Sequence, residues 1–100
     1  MAERNFFWQE PQDDGTVKIG LTDEGKKTLG KIKFVDLPSV GQELAADDSL
    51  VGIEAEKMVQ DLTTPVAGQV KTVHQELRDQ PELLSDDDHD QAWLVTIQPK

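Results

Sequence analysis

One hundred residues suit a single small domain spanning residues 1–100, with room for one modest core and not for two. A formal net charge of −10 speaks against nucleic acid, whose phosphates call for clustered Lys and Arg. The lack of cysteine excludes a disulfide framework, a thiolate metal site and a cysteine nucleophile, so any redox sulfur must arrive on a prosthetic group. No apolar run approaches membrane-spanning length, and MAERNFFWQE lacks the basic-then-apolar shape of a signal peptide, so a cytoplasmic protein without membrane attachment is expected. The acidic balance favours solubility and steering toward basic partner surfaces.

In chain order, Asn5-Phe6-Phe7-Trp8-Gln9 reads as an edge strand whose aromatics cover one end of the core. The PQDDG turn from Pro11 to Gly15 is a hairpin signal before Thr16–Leu21, an alternating half-buried strand. Thr22-Asp23 carries the hydroxyl and carboxylate of a helix start, and Gly30 suits its C-terminal cap. Gly25 between them limits the helix to about two turns. Lys26 and Lys27 on it are expected as a solvated basic spot.

Lys31–Leu37 alternates again and is stopped by Pro38, with a turn at Ser39–Gly41. Gln42–Asp48 is ambiguous. Leu50–Ala55 and Met58–Thr63 are predicted strands, with Glu56-Lys57 at the bend between them. Pro65 to Gly68 forms the next turn, and a β-branched residue in place of Gly68 would disturb it if Gly68 adopts positive φ. Gln69–Gln75 resumes the alternation. Glu76–Asp90 is a polar connection with a helical turn carrying Leu83 and Leu84, and Ala92–Ile97 closes the chain as an apolar strand. Many short strands punctuated by Gly and Pro indicate a small sandwich or flattened barrel.

Lys57 is the residue such a hairpin would present. A lysine at a hairpin tip, held clear of the body, is an amine that a modifying enzyme can reach from several sides. An exposed lysine stays protonated near neutral pH, so that enzyme must deprotonate it before it can form an amide. Glu54, Glu56 and Asp61 bracket it with charge and are candidate recognition residues for the modifying enzyme. Plain solvation of a strand edge accounts for the same acids without a partner.

The remaining constellations are poorer. Asp86-Asp87-Asp88-His89-Asp90 lacks the glycine and spaced acids of a calcium loop and reads as a solvated acidic loop. His74 is expected at the surface. Trp8 and Trp93 sit in apolar runs and read as core or rim packing. No catalytic triad and no Gly-rich phosphate loop can be assembled, so a non-catalytic protein is expected.

The segment Ile53-Glu54-Ala55-Glu56-Lys57-Met58-Val59-Gln60-Asp61, followed by Thr64-Pro65-Val66-Ala67-Gly68-Gln69-Val70, resembles the modified-lysine hairpin of lipoyl and biotinyl domains. Biotin carriers typically place methionine on both sides of the lysine; here Glu56 precedes Lys57, which suits a lipoyl acceptor better. Ile19-Gly20-Leu21-Thr22-Asp23, the run from Leu29 to Gly41 (LGKIKFVDLPSVG) and Trp93-Leu94 are similar to the glycine cleavage system H protein family.

That resemblance implies a mainly β barrel-sandwich hybrid of two antiparallel sheets with one short helix, carrying lipoate as an amide on Lys57. It further implies a carrier that shuttles an aminomethyl group and reducing equivalents. Its partners would be a lipoate-protein ligase or lipoyl transferase, glycine decarboxylase, aminomethyltransferase and dihydrolipoyl dehydrogenase. Phe6-Phe7-Trp8 stands where the family typically has His-Glu-Trp, and the chain stops at Lys100 rather than continuing into a helical extension. Both traits are similar to a short H-protein-like subfamily associated with lipoate ligases, sirtuin-type ADP-ribosyltransferases and macrodomain proteins. An ADP-ribosylation-linked role is therefore the alternative, with a biotin carrier or an unmodified binding module behind it.

Overall fold

The period-two runs fold into strands that sort into two antiparallel sheets in the computed structural model, which describes residues 6–46, 48–86, 88 and 91–100. The strands are β1 (Phe7–Pro11), β2 (Val17–Leu21), β3 (Ile32–Asp36), β4 (Glu43–Leu44), β5 (Ser49–Ala55), β6 (Val59–Thr63), β7 (Gly68–Val73) and β8 (Trp93–Pro99). A five-stranded sheet runs β1-β2-β8-β7-β4 and a three-stranded sheet runs β3-β5-β6. Their inner faces share one core, with Ile19, Leu94 and Ile97 from the first sheet against Val35, Ile53 and Leu62 from the second. This is the expected sandwich, with one short α-helix among the described residues.

Simple alternation breaks at bulges, where a strand bends and its facing pattern changes phase. The register shifts between Ile32 and Phe34 of β3, between Ser49 and Val51 of β5, and between Ile19 and Gly20 of β2. In β3 the shift buries Ile32 and Val35 and leaves Phe34 outside. Trp8 faces Gly20 across the β1–β2 ladder, and its indole fills the space where a side chain at Gly20 would stand.

Helix α1 (Asp23–Leu29) begins and ends on the residues that its capping chemistry predicts. Thr22 Oγ1 accepts from the Gly25 amide at 3.1 Å, satisfying one of the first-turn donors. Gly30 takes φ 79° and donates its N–H to the Lys26 carbonyl. The basic spot is only half solvated: Lys27 is exposed, but the Lys26 side chain is 14 % exposed and donates to the Asp86 carbonyl at 2.6 Å. A long aliphatic stem lies down here because the β7–β8 connection passes close enough to offer its carbonyl.

That connection is less polar than its composition suggests. It forms two 3-10 helices, Gln75–Arg78 and Pro81–Ser85, which pack against β3 and bury Leu77 and Leu84 completely. Leu83, expected beside Leu84, is only partly buried.

His74 corrects a second expectation. It is 6 % exposed, its ring stacks on Trp93 at 4.7 Å and 4°, and its Nδ1–H donates to the Trp93 carbonyl at 2.8 Å. The strand ends at Val73, so His74 no longer follows the alternation that would place it outside. Asn5, Asp47, Asp87, His89 and Asp90 lie outside the described residues, which include too little of the acidic loop for its description.

Candidate functional site

A tight hairpin turn normally needs positive φ at one or more of its loop positions, so that the turn matches the strand twist. Glu56-Lys57 has neither glycine nor asparagine, and no non-glycine residue among those described takes positive φ. The β5–β6 turn is closed by one local bond, Ala55 N–H to the Met58 carbonyl at 2.9 Å. Two bonds from elsewhere brace it. The Glu56 amide donates to the Lys31 carbonyl at 2.8 Å, and the Lys57 amide donates to the Leu29 carbonyl at 3.1 Å. The tip is thus tied to the junction between α1 and β3. Met58, predicted as the first residue of a strand, belongs to the turn and packs its side chain against the core.

Lys57 is solvent-exposed, but it does not stand clear of the body as the hairpin alone suggests. Its stem lies across Gly30, where an added Cβ would sit 3.1 Å from Lys57 Cγ, and its Nζ donates to the Lys27 carbonyl at 3.1 Å. Of the eight lysines in the chain, it is the one on a hairpin turn; the others lie in strands, on α1, beside β3 or at the C-terminus.

The three bracketing acids are not placed alike. Glu54 and Asp61 both face outward on the three-stranded sheet, Glu54 paired with Val59 and Asp61 with Gly52. Glu56 sits on the turn itself, beside Gly30. Two shallow depressions of about 190 and 200 Å³ meet on this face at Asp36, Gly52 and Asp61. The second is also lined by Phe34, Glu54 and Val59. Phe34 is 55 % exposed and Val59 75 % exposed, so the face next to Lys57 is apolar at its centre and acidic around it.

Asp36 and Phe34 have no site role in the sequence analysis, and Gly30 has only that of a helix cap. Adjacent Phe34 and Val35 carry a usable signal, because two neighbouring apolar residues on a strand cannot both face one core without a bulge. Nothing local marks Gly30 as anything but a cap.

The family model described as Glycine cleavage H-protein matches residues 1–100. The chain belongs to the glycine cleavage H-protein family. Curated relatives agree with this H-protein assignment. The chain is 37% identical over 92 residues to a glycine cleavage system H protein of Psychrobacter sp. (strain PRwf-1), spanning 92% of this chain and 73% of that protein. It is 41% identical over 97 residues to a probable glycine cleavage system H protein of Pyrococcus horikoshii, spanning 97% and 72%. Among solved structures, a glycine cleavage system H protein from Mycobacterium marinum superposes with a TM-score of 0.80 at 36% identity, over 87% of this chain and 68% of that one.

H proteins are non-catalytic lipoyl carriers, with lipoate attached covalently to a lysine. The chemistry present fits such a group: an exposed primary amine on a braced turn, with one of its three protons committed to a carbonyl. No helix among the described residues is long and apolar enough to cross a membrane.

Proposed function

We propose that Lys57 is the residue that carries lipoate, and that the protein serves as the carrier of the glycine cleavage reaction. The observation that carries this reading is the placement of Lys57 alone among the lysines on a hairpin turn, in a chain of the H-protein family. An activated lipoyl donor, supplied by a lipoate-protein ligase or lipoyl transferase, is attacked by the Lys57 amine. An amide bond forms, the activating group leaves and the amine gives up a proton. Once bound, lipoate supplies a dithiolane that carries an aminomethyl group and reducing equivalents between glycine decarboxylase, aminomethyltransferase and dihydrolipoyl dehydrogenase. The chain's own part is to hold the attachment point rigid and to offer a surface that those partners bind.

Glu54, Glu56 and Asp61 are the recognition residues of this reading, and Asp36 joins Glu54 and Asp61 on the same face. Together they make an acidic surround suited to lysine and arginine on the modifying enzyme, a complementarity that mainly speeds encounter. The relatives are named for glycine cleavage, and they lend no support to the ADP-ribosylation-linked role or its sirtuin and macrodomain partners. Incubation with a lipoate-protein ligase, lipoate and ATP should add one lipoyl group by intact mass, and Lys57→Arg should abolish the gain. An equal gain in Lys57→Arg would place the modification elsewhere. Glu54→Gln and Asp61→Asn should slow the wild-type reaction, with a steeper salt dependence in the wild type than in the variants.

A further inference from the structure

The last carbonyls of a helix have no partner within the helix, and α1 ends with Lys27 and Leu29 in that position. Lys57 reaches both of them. Its backbone N–H donates to Leu29 and its Nζ to Lys27, each at 3.1 Å, so its side chain runs along the end of the helix between the two bonds. The absence of a side chain at residue 30 gives this course its room. A Cβ there would stand 3.1 Å from Lys57 Cγ, 3.4 Å from Cδ and 3.5 Å from Glu56 Cβ. Distances of 3.1–3.4 Å are tighter than ordinary van der Waals contact, so the lysine stem would have to shift by a few tenths of an ångström, loosening its fit against the helix end.

We propose that Gly30 and the C-terminal turn of α1 form a seat that positions the unmodified Lys57 side chain for acylation and holds it less firmly afterwards. This rests on Lys57 being the acylated residue. Gly30 is a positioning residue in this scheme and touches neither the donor nor the acyl group. Before modification, the seat holds a long, rotamer-rich side chain in one exposed course, so less entropy is lost when the modifying enzyme binds it. The Nζ bond to Lys27 uses one proton, which leaves another to be lost and a lone pair to attack. After acylation the nitrogen is a neutral amide with a single N–H. The charge-assisted bond to the carbonyl gives way at most to a weaker neutral one, so the stem is held less firmly on Gly30. The helix end therefore distinguishes the bare lysine from the loaded arm, and it holds the bare side chain more firmly than the acylated one.

Two measurements test this. The first is ligase kinetics with the purified chain as varied acceptor, using lipoate and ATP, read by intact mass. Gly30→Ala should raise KM roughly two- to tenfold, the fold-change that one net hydrogen bond supports, with kcat little changed. Gly15→Ala is the matched control: Gly15 has φ 88° against 79° at Gly30, but a Cβ there meets only Gln98 Nε2 at an ordinary 3.9 Å. It should lose comparable stability and keep the wild-type KM. A wild-type KM in Gly30→Ala, or an equal rise in Gly15→Ala, overturns the seat.

The second measurement needs no variant, and so it decides the matter if Gly30→Ala does not fold. Unmodified wild-type protein should show nuclear Overhauser contacts from Gly30 Hα to Lys57 Hγ and Hδ, and these should weaken markedly in the lipoylated protein. Their absence before modification, or their persistence unchanged after it, overturns the proposal. Failure of the wild type to gain mass would instead count against the lipoate reading, and the contacts in the unmodified chain would still report on the seat.

Discussion

The Glu56 amide donates to the carbonyl of Lys31 at 2.8 Å, which makes the tip of the β5–β6 hairpin a tertiary structure rather than a local one. Isolated tight hairpin turns without glycine or asparagine close poorly, because their backbone twist opposes that of the strands. Here the carbonyls of Lys31 and Leu29 take the two tip amides and hold the turn from outside. The lysine is presented by the end of the helix as much as by its own strands.

Amide hydrogen exchange should reflect this directly. Glu56 and Lys57 should exchange more slowly than an exposed turn ordinarily does, because both amides are bonded. Thr22→Ala removes the N-terminal cap of α1 and should cost about 1 kcal/mol. It should also speed exchange at Lys57 by loosening the helix end to which that amide is tied. Fast exchange at both tip amides in the wild type would show that the bracing bonds do not form in solution.

Gly68 is required on two grounds. Its φ of 159° is positive, in a range that L side chains rarely adopt, and it opens β7 opposite Pro99 of β8. Proximity adds to this: an added Cβ would overlap the Gln98 carbonyl oxygen and stand 2.8 Å from Ile97 Cγ2. Backbone cannot move aside as a flexible side chain can. Gly68→Val should therefore destabilise the protein by about 3 kcal/mol, a fall of roughly 10 °C or more in Tm by thermal denaturation. An unchanged Tm would mean that the β7–β8 ladder relaxes around the new side chain.

Asp14 links the β1–β2 turn to pH. The Thr16 hydroxyl and amide donate to its Oδ1 at 2.6 and 3.0 Å, and these bonds, the hydroxyl first, hold its pKa below the ordinary aspartate value. A carboxylate lowered on folding adds stability above its unfolded pKa, and that stability is lost as pH falls through the folded value. Asp14→Ala should therefore lower Tm at neutral pH, and the gap from wild type should close on acidification below about pH 4. Thermal melts across that range check it; a gap that stays constant would show that the hydrogen bonds do not favour the ionised form.

Much of this molecule was legible in its residues because the deciding interactions are short in sequence. Thr22 and Gly30 bound a helix through bonds three and four residues apart, and they fell where capping chemistry puts them. Alternation located the longer strands for the same reason, and the Glu56-Lys57 bend emerged between two such runs. Less could be read where distant segments compete for one group. His74 is buried because Trp93, nineteen positions on, supplies both a ring face and a carbonyl. Phe34 faces out because a bulge against β5 reverses the phase of β3.

The same division runs through the site. That a lysine stands at a hairpin bend between paired strands is a property of the sequence, written in two alternating runs and a charged break. Where that lysine lies is not. Its Nζ meets a carbonyl thirty residues away, over a glycine whose local role is only to end a helix. Periodicity and caps act within a turn or two of the chain, whereas a seat for a side chain exists only after the sheet and the helix have packed.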